Sequence, residues 1–205
     1  MSNIYEKCKM LILRRLLSMK KIMIVSGHTM PEASFANKII LERLAELLPE
    51  ADIDRLAEEY PDWKFDIEKE QKRLTEADVI VWQFPIFWYG QPSLLHKWQE
   101  EVFTHGFAYG SEGTALTGKT LVLSFTTGAP EELYAEGAPQ NYPIEAFLPA
   151  LKNVAALCNM KWGGFVYSGA MARAAMPNDE AVEQLKERAK QHAERLVEKL
   201  KELGA

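Results

Sequence analysis

Short apolar runs alternate with stretches of helical period along this chain, and that alternation restricts the fold more than any other feature. Lys21-Ile22-Met23-Ile24-Val25 is the first run, and it ends in Ser26-Gly27-His28. From Ser34 the period changes, with Ala36, Ile40, Leu44 and Leu47 at helical spacing. Ala51 to Leu56 alternates weakly as a second strand, and Asp66 to Ala77 reads as helix. Val79 to Phe84 is nearly continuous apolar, the pattern of a strand covered on both faces. Pro92 to Phe103 returns to helix, and Thr120 to Phe125 is another buried strand, ended by Thr126-Thr127-Gly128. Ile144 to Leu157 reads as helix and Trp162 to Tyr167 as strand; Val182, Leu185, Ala189, Leu196 and Leu200 line a long final helix.

Strand then helix, repeated five times, predicts an α/β fold: a five-stranded parallel sheet with helices on both faces. Right-handed crossovers leave few windings, and five strands suit the order 2-1-3-4-5. Ligands of such sheets sit beyond the carboxyl ends of the strands, so three loops matter: 26–37, 84–92 and 126–142.

The 205 residues favour one domain, predicted at 19–205, with residues 1–18 as an N-terminal extension. Residues 1–21 carry six basic side chains against one acid, while the other 184 carry 18 basic and 28 acidic. A body that acidic is a poor polyanion binder, which argues against nucleic acid. The apolar run in the extension is cut by Arg14 and Arg15, too early for a signal core. It reads either as an amphipathic extension, even one resting on a membrane surface, or as codons upstream of a start at Met19. No window reaches the roughly 18 apolar residues of a spanning helix. Cys8 and Cys158 give neither a metal site nor a disulfide framework, which points to a reducing cytoplasm.

The first loop, SGHTMPEASFAN, lacks both the dinucleotide glycine pattern and the phosphate-loop lysine. It offers a helix N-terminus for an anion, with His28, Thr29 and Ser34 as side-chain donors. Ser34 can equally be a plain N-cap. The second loop, Phe84 to Pro92, is dense in aromatics. Nine of the 21 Phe, Trp and Tyr residues fall between Trp82 and Tyr109. Aromatic rings beyond a strand end require core packing, a second subunit or a planar ligand to cover them. A flat ring on Trp88, with the amides of 86–88 along its polar edge, uses both rigidity and flatness. Thr126, Thr127 and Gly128 of the third loop offer hydroxyls and a close backbone approach, with Tyr134 nearby. His96 and His105 read as structural or solvent-facing. No acid–base or metal constellation is present, which points to a cofactor that carries the chemistry itself.

The segments QFPIFWYGQPSLLHKWQEEVFTHGFAYG and TTGAPEELYAEGAPQNYPIEAFL carry a resemblance. From about Lys20 to Leu200 the chain is similar to the flavodoxin-like NAD(P)H:quinone oxidoreductases. The nearest branch is the ancillary oxidoreductases of bacterial glutathione-regulated potassium-efflux systems and their general-stress relatives. The resemblance implies a flavin, FMN in the bacterial branch with FAD left open, and two-electron reduction of quinones by NAD(P)H. It implies that His28, Ser34, Phe35 and Ala36 cradle the flavin phosphate. Pro85, Ile86, Phe87 and Trp88 then meet the isoalloxazine, and Thr126, Thr127, Gly128 and Ala129 meet its pyrimidine side. Amides of 86–88 and 128–129 would stabilise the reduced ring. Tyr134 is implied as the catalytic tyrosine beside the reactive face. Trp88 and Tyr134 are implied to line the substrate pocket, which Tyr109 and a residue near Met160 close from the partner of a homodimer. Ala36, Ala129 and His105 depart from the pattern, standing where animal members of the family have Asn, Gly and Pro. A second reading is a regulatory ancillary subunit, with a structural flavin, held at the inner membrane face by a potassium-efflux transporter. A one-electron carrier is a third.

Overall fold

A computed structural model of the protein describes residues 20–205, so the extension at 1–18 and Cys8 lie outside the described residues. The elements alternate as expected: β1 Ile22–Ser26, α1 Ala36–Leu47, β2 Asp52–Arg55, α2 Leu56–Glu59, α3 Ile67–Glu76, β3 Val79–Pro85 and α4 Ser93–Val102. Then come β4 Thr120–Thr126, α5 Pro149–Leu157, β5 Lys161–Ser168 and α6 Asp179–Glu202. The five strands form one parallel sheet in the order β2-β1-β3-β4-β5.

β3 and β4 are buried at every residue because they lie in the middle of the sheet and are covered on both faces. Alternation then divides the interior in two. Ile24, Val79, Val81 and Val122 face α1 and α6, whereas Met23, Val25, Ile80, Trp82, Leu121 and Leu123 face α3, α4 and α5. Trp82, Trp98 and Phe103 cluster in the second layer with ring centroids 5.6–6.5 Å apart. This accounts for the strand and helix share of the aromatic excess.

Local chemistry sets the ends of the helices. Asp66 caps α3 by accepting from Lys69 N, and Asn178 caps α6 by accepting from Ala181 N. Several boundaries differ from the periodicity. Leu56 begins α2 rather than ending β2, because it is drawn fully into the core. The stretch 144–157 is a 3-10 turn, Ile144–Phe147, followed by α5, since Pro149 has no N–H to continue a helix and so starts one. Pro85 and Thr126 extend their strands, facing each other in register.

β5 carries one residue more than β4 across its middle: Leu121 pairs with Trp162, but Leu123 pairs with Phe165. The bulge falls on Gly163-Gly164. Gly164 is left-handed (φ 85°), and a Cβ on Gly163 would lie 2.7 Å from Thr120 and Val122.

Candidate functional site

The carboxyl ends of β1, β3 and β4 open on a cavity of about 280 Å³. The first wall is the start of α1. Ser34 does not cap this helix: it closes the preceding 3-10 turn at Pro31–Ala33, and the cap position is Phe35, with no side-chain bond. The first amides of α1 therefore keep their donors. Phe35, Ala36 and Asn37 line the cavity, while Ser34 lines a larger neighbouring cavity of about 480 Å³ over β2. That neighbour is walled by charged pairs, Lys38 with Glu42 and Arg55 with Glu58, and it lacks a flat apolar wall.

His28 lines both cavities. Its Nδ1 accepts from Met30 N at 3.1 Å, and its ring meets Phe87 edge-on at 5.5 Å. Burial lowers its pKa against the pull of Glu32, which favours the neutral ring, and with Nδ1 accepting, its hydrogen lies on Nε2. Thr29 lines neither cavity.

Pro85, Ile86 and Phe87 form the second wall. Ile86 N donates to Thr126 O, and Phe87 N to Gly90 O. This corrects the expected row of amides at 86–88: the first two are consumed by the turn, and only the Trp88 N–H remains. Phe87 and Gly90 bond in both directions around Trp88 and Tyr89, whose φ values are 50° and 65°. Two consecutive left-handed residues make a hairpin turn of the type usually built from Asn-Gly. Holding bulky aromatics there costs about 1–3 kcal/mol each. Trp88 is 96 % exposed and stands clear of the cavity. Tyr89 stacks on Phe147 at 5.3 Å.

Thr126, Thr127 and Gly128 form the third wall, and the N–H groups of Gly128 and Ala129 take no acceptor among the described residues. Thr127 Oγ1 donates to Ala129 O and accepts from Tyr167 Oη at 2.9 Å. Burial pushes the Tyr167 phenol up to about 12, so it stays protonated. Tyr134 is wedged edge-on between Phe147 and Tyr167, beside the cavity rather than in it.

A fourth loop, absent from the sequence expectation, lids the cavity with Met171, Ala172, Arg173 and Ala174. It is hung from the third: Ala170 N donates to Ala129 O, Met171 N to Thr127 O, and Gly169 N to the Glu131 carboxylate. Arg173 lies over the Phe35 ring at 6.0 Å and brings a cation to the α1 end. Asn37 and Arg173 line the cavity and Phe147 packs on Tyr89 and Tyr134, three positions to which the sequence alone does not point. Small residues around Arg173 gave no pattern to read.

Tyr109 and Met160 sit at the other, amino-terminal edge of the sheet, Tyr109 half-buried against His105 and Met160 buried just before β5. Within one chain neither reaches the cavity. His96 is exposed on α4, between Gln91 and Glu100, and His105 packs on Tyr109. Among the described residues no helix is long and apolar enough to cross a membrane.

The family described as having a flavodoxin-like fold matches residues 20–193. General stress protein 14 of Bacillus subtilis is 41 % identical over 142 residues, covering 69 % of this chain and 81 % of that protein. The glutathione-regulated potassium-efflux system ancillary protein KefF of Klebsiella aerogenes is 40 % identical over 141 residues, covering 69 % and 78 %. A general stress protein 14 from Treponema denticola, crystallised in complex with FMN, superposes with a TM-score of 0.78 at 29 % identity, covering 88 % of this chain and 99 % of that one.

Proposed function

The chain belongs to the flavodoxin-like fold family, and from that membership we propose that it is an FMN-dependent oxidoreductase that reduces quinones or related acceptors with NAD(P)H. One observation carries the reading. The uncapped α1 N-terminus, the His28 Nε2–H, Thr126 and Arg173 share a single cavity with the apolar wall of Pro85, Ile86 and Phe87. These residues fit a flat ring bearing a phosphate, and the Treponema denticola relative was crystallised with such a ligand. Bound, FMN would supply the two-electron chemistry, taking hydride from NAD(P)H and passing it on to the acceptor.

The residues divide the remaining work. Phe35, Ala36 and the α1 amides receive the phosphate, with Arg173 balancing its charge. The free N–H groups of Trp88, Gly128 and Ala129 would be the donors for the polar edge of a bound ring and would favour its reduced, more negative form. Trp88 follows the Phe87 wall in sequence, and its left-handed turn holds the indole out in solvent, clear of that wall. Tyr134, held by Phe147 and Tyr167, donates its phenol to the acceptor oxygen. Donor and acceptor use this one opening in turn, which makes the kinetics ping-pong. Tyr109 and the region of Met160 act only from a second copy, so the active form is a homodimer. The protein works in the cytoplasm.

The full-length protein should be yellow as purified and release FMN, identified by mass, and should oxidise NADH or NADPH only when a quinone is added. Protein that binds no flavin, or that binds it without quinone-dependent oxidation, overturns the reading. A second reading draws on the name of the KefF relatives: docking on a potassium-efflux transporter. Failure to co-purify with such a transporter from its own membranes removes it.

A further inference from the structure

Seven polar side chains form one hydrogen-bonded chain through the interior beneath α1 and α6. It begins at Arg195, whose Nη2 donates to Ser168 Oγ at 2.7 Å. Ser168 Oγ lies 2.7 Å from His192 Nδ1, and His192 Nε2 lies 2.8 Å from Ser124 Oγ. Ser124 then donates to Gln83 Oε1 at 2.5 Å, and Gln83 Nε2 to Asn37 Oδ1 at 2.7 Å. The chain ends where Asn37 Nδ2 donates to Thr126 Oγ1 at 3.1 Å. Every link between its ends is buried, with His192 and Ser124 wholly so.

Ser124 gives its one proton to the Gln83 carbonyl oxygen and so can only accept from His192 Nε2, which sets the direction of the chain. A guanidinium donates and never accepts, so Ser168 accepts from Arg195 and must place its own single proton elsewhere. His192 Nδ1 is the acceptor it meets. Burial, aided by the Arg195 charge, pushes His192 down to about 3, so the ring is neutral with one N–H. That hydrogen is therefore on Nε2, aimed at Ser124. Each later group accepts on one side and donates on the other, in the same sense, and such chains polarise cooperatively. Thr126 receives the last hydrogen bond, and among the described residues nothing accepts the Thr126 proton. Asn37 is the second residue of α1, so the hydroxyl it holds lies against the uncapped first turn, and both residues line the cavity.

We propose that His192, Gln83 and Asn37 are positioning residues that orient the Thr126 hydroxyl as a donor to a phosphate oxygen seated at the α1 N-terminus, in place of the pyrimidine-side role that the resemblance implies for Thr126. The assignment of that oxygen to FMN rests on the function proposed above; the direction of the chain does not.

Two measurements on the full-length protein separate these. In the flavin-free, 15N-labelled protein, long-range proton–nitrogen correlation reads the His192 tautomer. The Nε2–H form is expected, and the Nδ1–H form overturns the proposal. FMN and riboflavin titrations, followed by fluorescence quenching, then read the acceptor. Thr126→Val should weaken FMN at least about tenfold, as loss of a hydrogen bond to a charged group does, and leave riboflavin unchanged. Thr126→Ser should restore FMN to within about threefold of the parent. Equal losses for both flavins, or no rescue by serine, overturn the assignment. His192→Phe should weaken FMN in the same direction, and combining it with Thr126→Val should add nothing further. Additive losses mark His192 as merely structural and overturn its role. If His192→Phe does not fold, Arg195→Met removes the anchoring donor from the surface, and the same additivity test applies. A parent protein that binds neither flavin ends the FMN reading, while the tautomer still decides the direction of the chain.

Discussion

Two groups of buried polar side chains lie on opposite faces of the same sheet and close differently. On the α3–α4 face, Asp54 and Glu70 are wholly buried around Arg73, whose Nη1 lies 3.0 Å and 3.2 Å from them. Tyr60 Oη and Trp98 Nε1 donate to the two oxygens of Glu70, and Arg73 reaches on to Asp52 at 2.7 Å. Glu59 completes a carboxylate group that Arg73 fills as an internal cation. On the α1–α6 face, the chain from Arg195 through His192 is neutral after its first member and ends in a hydroxyl at the cavity. The charged group turns inward, its carboxylates gathered on one shared cation, and ties α3 to β2 and α4. The neutral chain leaves one donor over and hands it to whatever occupies the site. Buried polarity thus serves packing on one face and recognition on the other.

The largest expected effect breaks the charged group. Arg73→Met leaves the buried Glu70 carboxylate without its cation, and urea unfolding should show a loss of about 3–5 kcal/mol. FMN affinity of the folded fraction should not move, and a parallel loss of affinity would erase the distinction. The neutral chain should give a smaller and different result. Ser124→Ala strands the His192 N–H and the Gln83 carbonyl, which costs about 1–3 kcal/mol. Here FMN binding should weaken as well.

A third contrast lies in pH, where the two faces act with opposite sign. Unfolded His192 takes up a proton near pH 6.5, whereas the folded ring waits until about 3, so its contribution is lost as pH falls through that interval. Asp54 runs the other way. Burial first, then the hydrogen bond and charge of Glu70, raise it to about 9 against Arg73, so its contribution is full at low pH and lost as pH rises from about 4 toward 9. Urea midpoints across this range should lose their alkaline decline in Asp54→Asn and their acid decline in His192→Phe. The same slope in parent and variant would deny that residue its part.

How much of this was legible depended on whether the signal was local. The central strands were plain because burial on both faces writes a continuous apolar run, as in Val79–Phe84. The three strand-end loops followed from the topology, and most residues named on them do line one cavity. The left-handed pair Trp88-Tyr89 was hidden, since large aromatics are the last residues one expects at positive φ. The lid at 171–174 is a run of small residues around one arginine, with no period to read. The polar chain was invisible for a different reason: Asn37, Gln83, Ser124, Ser168 and His192 are scattered along the sequence, and only strand register brings them into line.

The bulge at Gly163-Gly164 has a consequence for that alignment. A strand is a two-state counter, each residue pointing up or down, and one extra residue reverses the parity of all that follow. Because of it, Ser168 points toward His192 while Phe165 and Tyr167 point toward the opposite layer. Deleting Gly164 would leave every later side chain chemically intact and facing the wrong way, so a single residue without a side chain governs the phase of the strand's whole second half.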